Sequence, residues 1–274
     1  MKKSKKQTFI GYIALTLIAI AFIVPLLWVI IASFDANASQ ILKIPKNLTM
    51  ENYVTVAGSP DNQLAFLNGL YLSGSQTILV VTLSILAAYP LSRYKLKHKQ
   101  KFLMGILFMT SLPITAVMVP VYQLFIFFGL TDSLISTLLF LTASQLPFGI
   151  WMMKNFMDSV SVDLEEAAWT DGASKIQGIQ YIVLPLMKPG IFTVAIFTFI
   201  GSWGNFFVPY ILLSAPSKLP ASVTLYQFFG QYGEAAYGQL AAYSVLYMMP
   251  TFILYYFAQN YMSKGFTMGG AAKG

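Results

Sequence analysis

The sequence predicts an all-α polytopic membrane protein with six transmembrane helices and one cytoplasmic two-helix elbow. Three observations carry this. Of 274 residues, 57% are hydrophobic and only 10% are charged, where a soluble domain carries about 25% charge. Six stretches without charge are each long enough to supply the ~20 residues a helix needs to cross hydrocarbon. Between the fourth and fifth of them lies a charged, glycine-punctuated segment, EAAWTDGASKIQGIQYIVLP, which has to face water.

The first span is expected over residues 9–33. MKKSKK precedes it like the front of a signal peptide. The apolar run outlasts the roughly 7–15 residues of a signal core, however, and no small-x-small cleavage site follows closely, so a retained anchor is expected. An outer segment with the turn-rich stretches PKNLTMENY and GSPDNQ leads to the second span, 66–92. The third is expected over 102–129, the fourth over 133–153, the fifth over 189–213 and the sixth over 239–262, all in one transmembrane domain over 1–274. Pro90, Pro113, Pro120, Pro147, Pro209 and Pro250 fall in or beside these runs. Proline removes a backbone donor and kinks a helix; a membrane tolerates this where neighbours or a water-filled cavity satisfy the freed carbonyl. Such kinks fit a gated pathway as well as ordinary packing.

Orientation follows from the basic residues. With the N-terminus inside, Lys2, Lys3, Lys5, Lys6, Arg93, Lys95, Lys97, Lys99, Lys101, Lys154, Lys175, Lys188, Lys264 and Lys273 lie on inner segments, and only Lys43, Lys46 and Lys218 lie outside. This asymmetry is the positive-inside signature. Both termini of a multi-pass protein of the cytoplasmic membrane are therefore expected in the cytoplasm. The net charge of +7 is spread over every inner loop and forms no groove-tracking patch, which excludes nucleic acid as a partner. Cysteine is absent, so no disulfide or thiolate metal site can form, and no metal site is expected.

The elbow is expected over 158–187. Asp163 and Glu166 read as an Asp-x-x-Glu capping box, and Glu165 and Glu166 suit the positive end of the helix dipole. Ala167 and Ala168 leave room for another backbone. Gly172 offers a left-handed stop after Asp171, Ala173 follows, and Ser174 with Gln177 reads as a second capping box. The second helix is short, and Pro185 limits its extent. Two caps around one glycine specify a bent pair of helices, a handle that a membrane protein offers to something soluble.

Glu166-Ala167-Ala168, three residues, Gly172, nine residues, Ile182, one residue, Leu184-Pro185 is similar to the EAA loop of ATP-binding-cassette importer permeases. Leu112-Pro113, Pro120, Gly129-Leu130 with Asp132-Ser133, Pro147-Phe148, Trp203, Asn205, Pro209 and the closing Lys273-Gly274 extend the likeness over most of the chain. The ensemble resembles the shorter, six-span permease of the maltose-type carbohydrate uptake group. One departure is Gly204, which stands where a more polar neighbour of Trp203 is expected. The resemblance implies the type I importer permease fold and transport without covalent chemistry. It also implies four kinds of partner: a second homologous permease in a heterodimer, two cytoplasmic ATPase subunits that hold ATP and magnesium, an extracytoplasmic solute-binding protein, and a sugar. It makes Glu165, Glu166, Ala167, Ala168, Asp171, Gly172, Ala173, Ile182 and Pro185 the set that couples to the ATPase.

Other chemistries lack their residues. No G-x-x-x-x-G-K-[ST] occurs, so the chain cannot cradle nucleotide phosphates in that way, and no cofactor of its own is expected. No H-E-x-x-H or Ser/His/Asp arrangement is evident; His98, the one histidine, lies among lysines in an inner loop. The central parts of the spans carry no ionisable side chain, where an ion-coupled carrier needs such groups. Trp203, Asn205, Phe206, Phe207 and Tyr210 gather in the fifth span, and an amide beside aromatic rings suits the hydroxyl edges and apolar faces of a sugar. An interfacial aromatic belt is the alternative. Gln145 in the fourth span and Gln76 in the second are expected to face the bundle interior. The expected pathway set is Gln145, Trp203, Asn205, Phe206 and Tyr210. The expected function is the permease of an ATP-driven sugar importer working by alternating access. An ion-coupled carrier, or a permease for another solute such as a glycerol phosphate, stands as the alternative.

Overall fold

A computed structural model describes residues 5–41, 43–45, 47–228 and 236–271. Among them all regular structure is helical, apart from one β-bridge between Asp35 and Leu48. Four of these helices are each long and apolar enough to cross a membrane, and there are six crossings if each of two bent helix pairs counts as one. The chain forms two compact units.

The first unit comprises Met1–Gln63 and Thr224–Met249. Helix α1, Lys5–Ser33, exposes every described side chain from Phe9 to Leu27. An apolar surface of that size suits lipid, not water. Its C-terminus is tied by polar bonds to the short helix α2, Glu51–Gly58, which lies inside the segment read from sequence as an outer loop. Ser33 Oγ lies 2.7 Å from Tyr53 Oη, and Asn52 Nδ2 donates to the carbonyls of Ser33 and Asp35, both at 3.1 Å.

The second unit comprises Leu64–Val223 and Pro250–Gly274. Helix α3, Pro60–Arg93, is followed by α4, Lys99–Thr110, and α5, Ile114–Phe127. The run 102–129 is thus two helices, not one, and they meet at 93°. Pro113 is the cause: it sits in extended backbone at φ −67°, ψ 126°, has no N–H, and biases the residue before it away from helix. Helix α6, Leu134–Asp158, is capped by Ser133, whose Oγ accepts the Ser136 N–H at 3.3 Å. Helices α7, Val162–Thr170, and α8, Lys175–Gly178, form the elbow; a π-turn at Ile179–Val183 leads into α9, Leu184–Leu186. Helix α10, Lys188–Trp203, stops at Gly204, and the chain resumes as α11, Phe207–Leu212, so the fifth apolar run is also broken. The short α12, Ala221–Thr224, precedes the last helix, α13, Tyr237–Ala271.

Two apolar clusters hold this unit. Val80 and Ala88 of α3 pack with Met153 and Met157 of α6, with Val183 and Met187, and with Val194 of α10. Met118 and Phe125 of α5 pack with Leu141 of α6 and with Val208 and Leu212 of α11. Helices α3 and α6 approach closely at Gly149, where a Cβ would lie 2.5 Å from Ser84 Oγ and 2.8 Å from Val80 Cγ1.

Ahead of α6, Asp132 clasps the stretch after α11. It adopts φ 54° and donates its N–H to the Leu212 carbonyl at 2.8 Å. Its Oδ1 accepts the N–H groups of Ser214 and Ala215, both at 3.0 Å, and its Oδ2 accepts Lys218 Nζ at 2.8 Å. The Ala215 amide, then Lys218 and the Ser214 amide, lower the Asp132 carboxyl from 3.8 to about 2. A carboxyl lowered in this way adds stability that is complete above its ordinary value and is lost only as pH falls through about 2. Cleavage after Lys218 by trypsin, taken relative to a free peptide of the same sequence at each pH, is therefore expected to be slow with a ratio that does not change from pH 8 to 5, and faster in Asp132→Asn; equal rates for the two would show that the clasp does not order this stretch.

Candidate functional site

The elbow is built locally. Ser161, not Asp163, caps α7: Ser161 Oγ accepts the Asp163 N–H at 3.3 Å. The box read from Asp163 and Glu166 does not form, because the helix begins at Val162, one residue before Asp163, and places Asp163 in the first turn. Gly172 terminates α7 at φ 91°. Its N–H bonds the Trp169 carbonyl at 3.1 Å, and the Ala173 N–H bonds the Ala168 carbonyl at 2.9 Å. These two bonds are a Schellman end, which needs the left-handed residue that glycine supplies. The second capping box is present: Gln177 N–H to Ser174 Oγ at 3.3 Å and Ser174 N–H to Gln177 Oε1 at 2.7 Å. Gly178 then lies beneath Trp169, where a Cβ would be 3.0 Å from the indole nitrogen. Pro185 has no N–H to return to the Tyr181 carbonyl, and the turn ahead of it widens into π geometry.

The two glutamates face opposite ways. Glu166 is exposed, as are Ala167, Asp171, Gly172 and Pro185; Ala168, Ala173 and Ile182 are half-buried. Glu165 is fully buried. Its Oε1 takes Arg93 Nε at 2.5 Å and its Oε2 takes the Tyr89 hydroxyl at 3.1 Å. Sequence reasoning missed Arg93 and Tyr89. The available signal was an arginine closing an uncharged run, which topology had already explained.

The second feature is a cavity of about 530 Å³, lined by Gln76 of α3, Thr110 of α4, Ile114 of α5, Ser144, Gln145 and Phe148 of α6, and Gly201 and Asn205, among others. Gln76 donates to the Leu141 carbonyl at 2.9 Å, while its Oε1 is buried without a hydrogen-bonding partner. Asn205 Oδ1 accepts the Val208 N–H at 3.1 Å, and its carbonyl accepts Ser222 Oγ at 2.9 Å. The structure thus brings together Gln145 and Asn205 of the sequence-derived set, and adds Gln76.

It does not bring Trp203, Phe206 or Tyr210 to this wall. Phe206 stacks on Tyr210 with ring centres 4.9 Å apart, and Tyr210 is exposed. Trp203 is 4% exposed, stacks on Phe199 at 6.1 Å, tilts against Phe66 at 6.1 Å, and lies where a Cβ on Gly69 would come within 2.9 Å of its ring. It wedges α10 against α3. Trp203→Ala is expected to destabilise the protein by about 3–5 kcal/mol, read as a lower unfolding temperature of the purified protein. Loss of uptake at unchanged stability would place the ring in the pathway instead.

A bundle of apolar helices, a polar cavity among them, and a water-facing elbow without catalytic residues define a membrane transport subunit. The chain belongs to the family of binding-protein-dependent transport system inner membrane components, whose model matches residues 80–267. It is similar to the sulfoquinovosyl glycerol transport system permease protein SmoH of Agrobacterium fabrum, 29% identical over 94% of this chain and 92% of the relative. It is also similar to the trehalose/maltose transport system permease protein MalG of Thermococcus litoralis, 28% identical over the whole of both chains. Among solved structures it matches a chain of a bacterial ABC transporter involved in the import of the acidic polysaccharide alginate, with a TM-score of 0.82 and 22% identity over 96% of this chain and 99% of that one. The fold is that of a type I importer permease, in an integral, multi-pass membrane protein whose work is transport, not catalysis.

Proposed function

We propose that the chain is the permease subunit of an ATP-driven importer that moves a sugar or oligosaccharide across the cytoplasmic membrane by alternating access. The observation that carries this is the elbow: Glu166, Ala167, Asp171 and Gly172 form an exposed face on helices whose opposite side is anchored in the bundle. In this reading that face docks into one of two cytoplasmic ATPase subunits, and ATP and magnesium are held there and not by this chain. A second homologous permease completes the translocation path and an extracytoplasmic binding protein delivers the solute. Both termini lie in the cytoplasm, as the Lys/Arg distribution supports; α4 with α5 serves as one crossing and α10 with α11 as another, while Lys175–Leu186 stays in the water-facing elbow.

The sugar assignment rests on the relatives, which are named for sulfoquinovosyl glycerol, for trehalose and maltose, and for maltodextrin, and on a cavity edged by Gln76, Gln145, Ser144 and Asn205. Amides and hydroxyls both donate and accept, which matches a solute dense in hydroxyl groups. Purification of the tagged chain is expected to bring an ATPase and a second permease with it, and vesicles holding that complex are expected to import labelled maltose or maltodextrin on addition of ATP and binding protein. Uptake that follows a proton or sodium gradient without ATP would favour an ion-coupled carrier, and uptake of glycerol phosphate alone would change the solute class.

A further inference from the structure

We infer that Arg93 and Glu165 form a latch that makes the elbow and two walls of the cavity, α3 and α6, move as one body; this rests on the coupling reading above. The guanidinium is 5% exposed and the carboxylate 0%. Besides its bond to Glu165, Arg93 donates Nη1 to the Met157 carbonyl at 3.2 Å and Nη2 to the Val160 carbonyl at 3.1 Å. One side chain at the end of α3 therefore grips the last turn of α6, the second residue beyond it, and the first turn of α7. Arginine suits this because its planar fork fixes several acceptors in direction at once.

The alternative is that the pair only adds stability. A buried ion pair is a poor source of stability, because desolvation offsets the attraction and apolar residues do as well. What it supplies that apolar packing does not is a fixed register. The elbow also touches the bundle through Val183, beside Met153 and Met157, but methyl and thioether surfaces slide over one another at little cost. A fork on a carboxylate and two carbonyls cannot slide without breaking bonds in a buried site.

Above the latch, α3 and α6 are joined twice more. Gly149 admits Val80 and Ser84 at contact distance, and Gln76 Nε2 reaches the Leu141 carbonyl at 2.9 Å. From Arg93 to Gln76 is about 26 Å along α3 at 1.5 Å per residue. Both helices run unbroken through their internal prolines, Pro90 and Pro147, so a displacement of the elbow is delivered to the level of Gln76 and Gln145 along continuous helix. Arg93 and Glu165 are positioning residues: neither reaches the cavity, and Glu165 does not share the exposed face with Glu166.

The test uses the chain in its purified complex, with nitroxides at Leu139→Cys on α6 and Val162→Cys on α7. No native cysteine interferes, and neither position belongs to the cavity wall or the docking face. In the otherwise native chain the spin–spin distance is expected to be the same, within about 2 Å, with and without ATP–magnesium, as for one rigid body. In Glu165→Gln and Arg93→Lys the distribution is expected to broaden or shift with nucleotide. ATPase hydrolysis should stay within about twofold of native while solute moved per ATP falls by about tenfold or more. A distance that changes with nucleotide in the native chain, or variants that keep both the native distance and the native ratio, would overturn the latch. If neither variant assembles, the pair is a folding element and the coupling role is likewise overturned. Should the complex lack an ATPase altogether, it is the coupling reading that fails, and the purification shows this before any distance is measured.

Discussion

Replacing Gly172 with valine is expected to leave the chain in the membrane and to abolish stimulation of the partner ATPase. The residue sits at φ 91°, which a β-branched side chain resists, at a local cost of about 1–3 kcal/mol. No atom lies within 4 Å of the position a Cβ would take, so nothing inside the chain is struck and the cost is one of backbone alone. Relief comes by opening the Gly172 and Ala173 bonds that end α7, and this re-aims α8 and its capping box. Pull-down and hydrolysis assays read the result. The comparison with Glu166→Ala is informative because Ser161 caps the helix. Glu166 lies exposed and, apart from its carbonyl accepting the Thr170 hydroxyl at 2.9 Å, is not part of the cap. Removing its carboxylate leaves α7 intact, and any lost association reports on the docking face. Full association and stimulation in both variants would reduce the elbow to a connector.

Gln145→Ala combined with Asn205→Ala is expected to lower uptake by about ten- to hundredfold, the equivalent of two hydrogen bonds at about 0.5–1.5 kcal/mol each. Assembly should survive, because both side chains are half-buried and edge a cavity. The single variants separate two effects. Asn205 also satisfies the Val208 amide at the start of α11, so its loss combines a pathway effect with a small structural one. Gln145 has no such second task, and Gln145→Ala isolates recognition. Native uptake by the double variant would remove this cavity from the pathway.

What was legible in the sequence was local. The Gly172 stop and the Ser174–Gln177 box are set by residues within a few positions of one another, and both are present; Pro185 does not end the second helix, which widens into π geometry ahead of it and runs on to Leu186. The apolar runs announced helices, but not that 102–129 would turn through 93° at Pro113, since a proline inside a run permits either a kink or a full break. The α7 cap was misplaced by two residues because Ser161 and Asp163 are both good caps, and burial of Glu165 settled which turn came first. Trp203 shows the other limit. An aromatic in mid-span has the same sequence signature whether it faces a cavity or a helix, and only the approach of Gly69 on a distant helix decides between them. Arg93 and Glu165 are 72 positions apart, and no spacing rule links such a pair.

The right-angled break between α4 and α5 has a consequence for what fills the protein. The first amides of α5 have no side-chain cap, and the break is bordered by Thr110, Leu112 and Ile114 on the cavity wall. Backbone groups at a helix end must find partners, and hydrocarbon offers none. A water-filled cavity supplies them. On the proposed path a solute trades bulk water for a chamber edged by amides and hydroxyls rather than for oil, and bonds to Gln76, Ser144, Gln145 and Asn205 replace part of the hydration its hydroxyl groups give up.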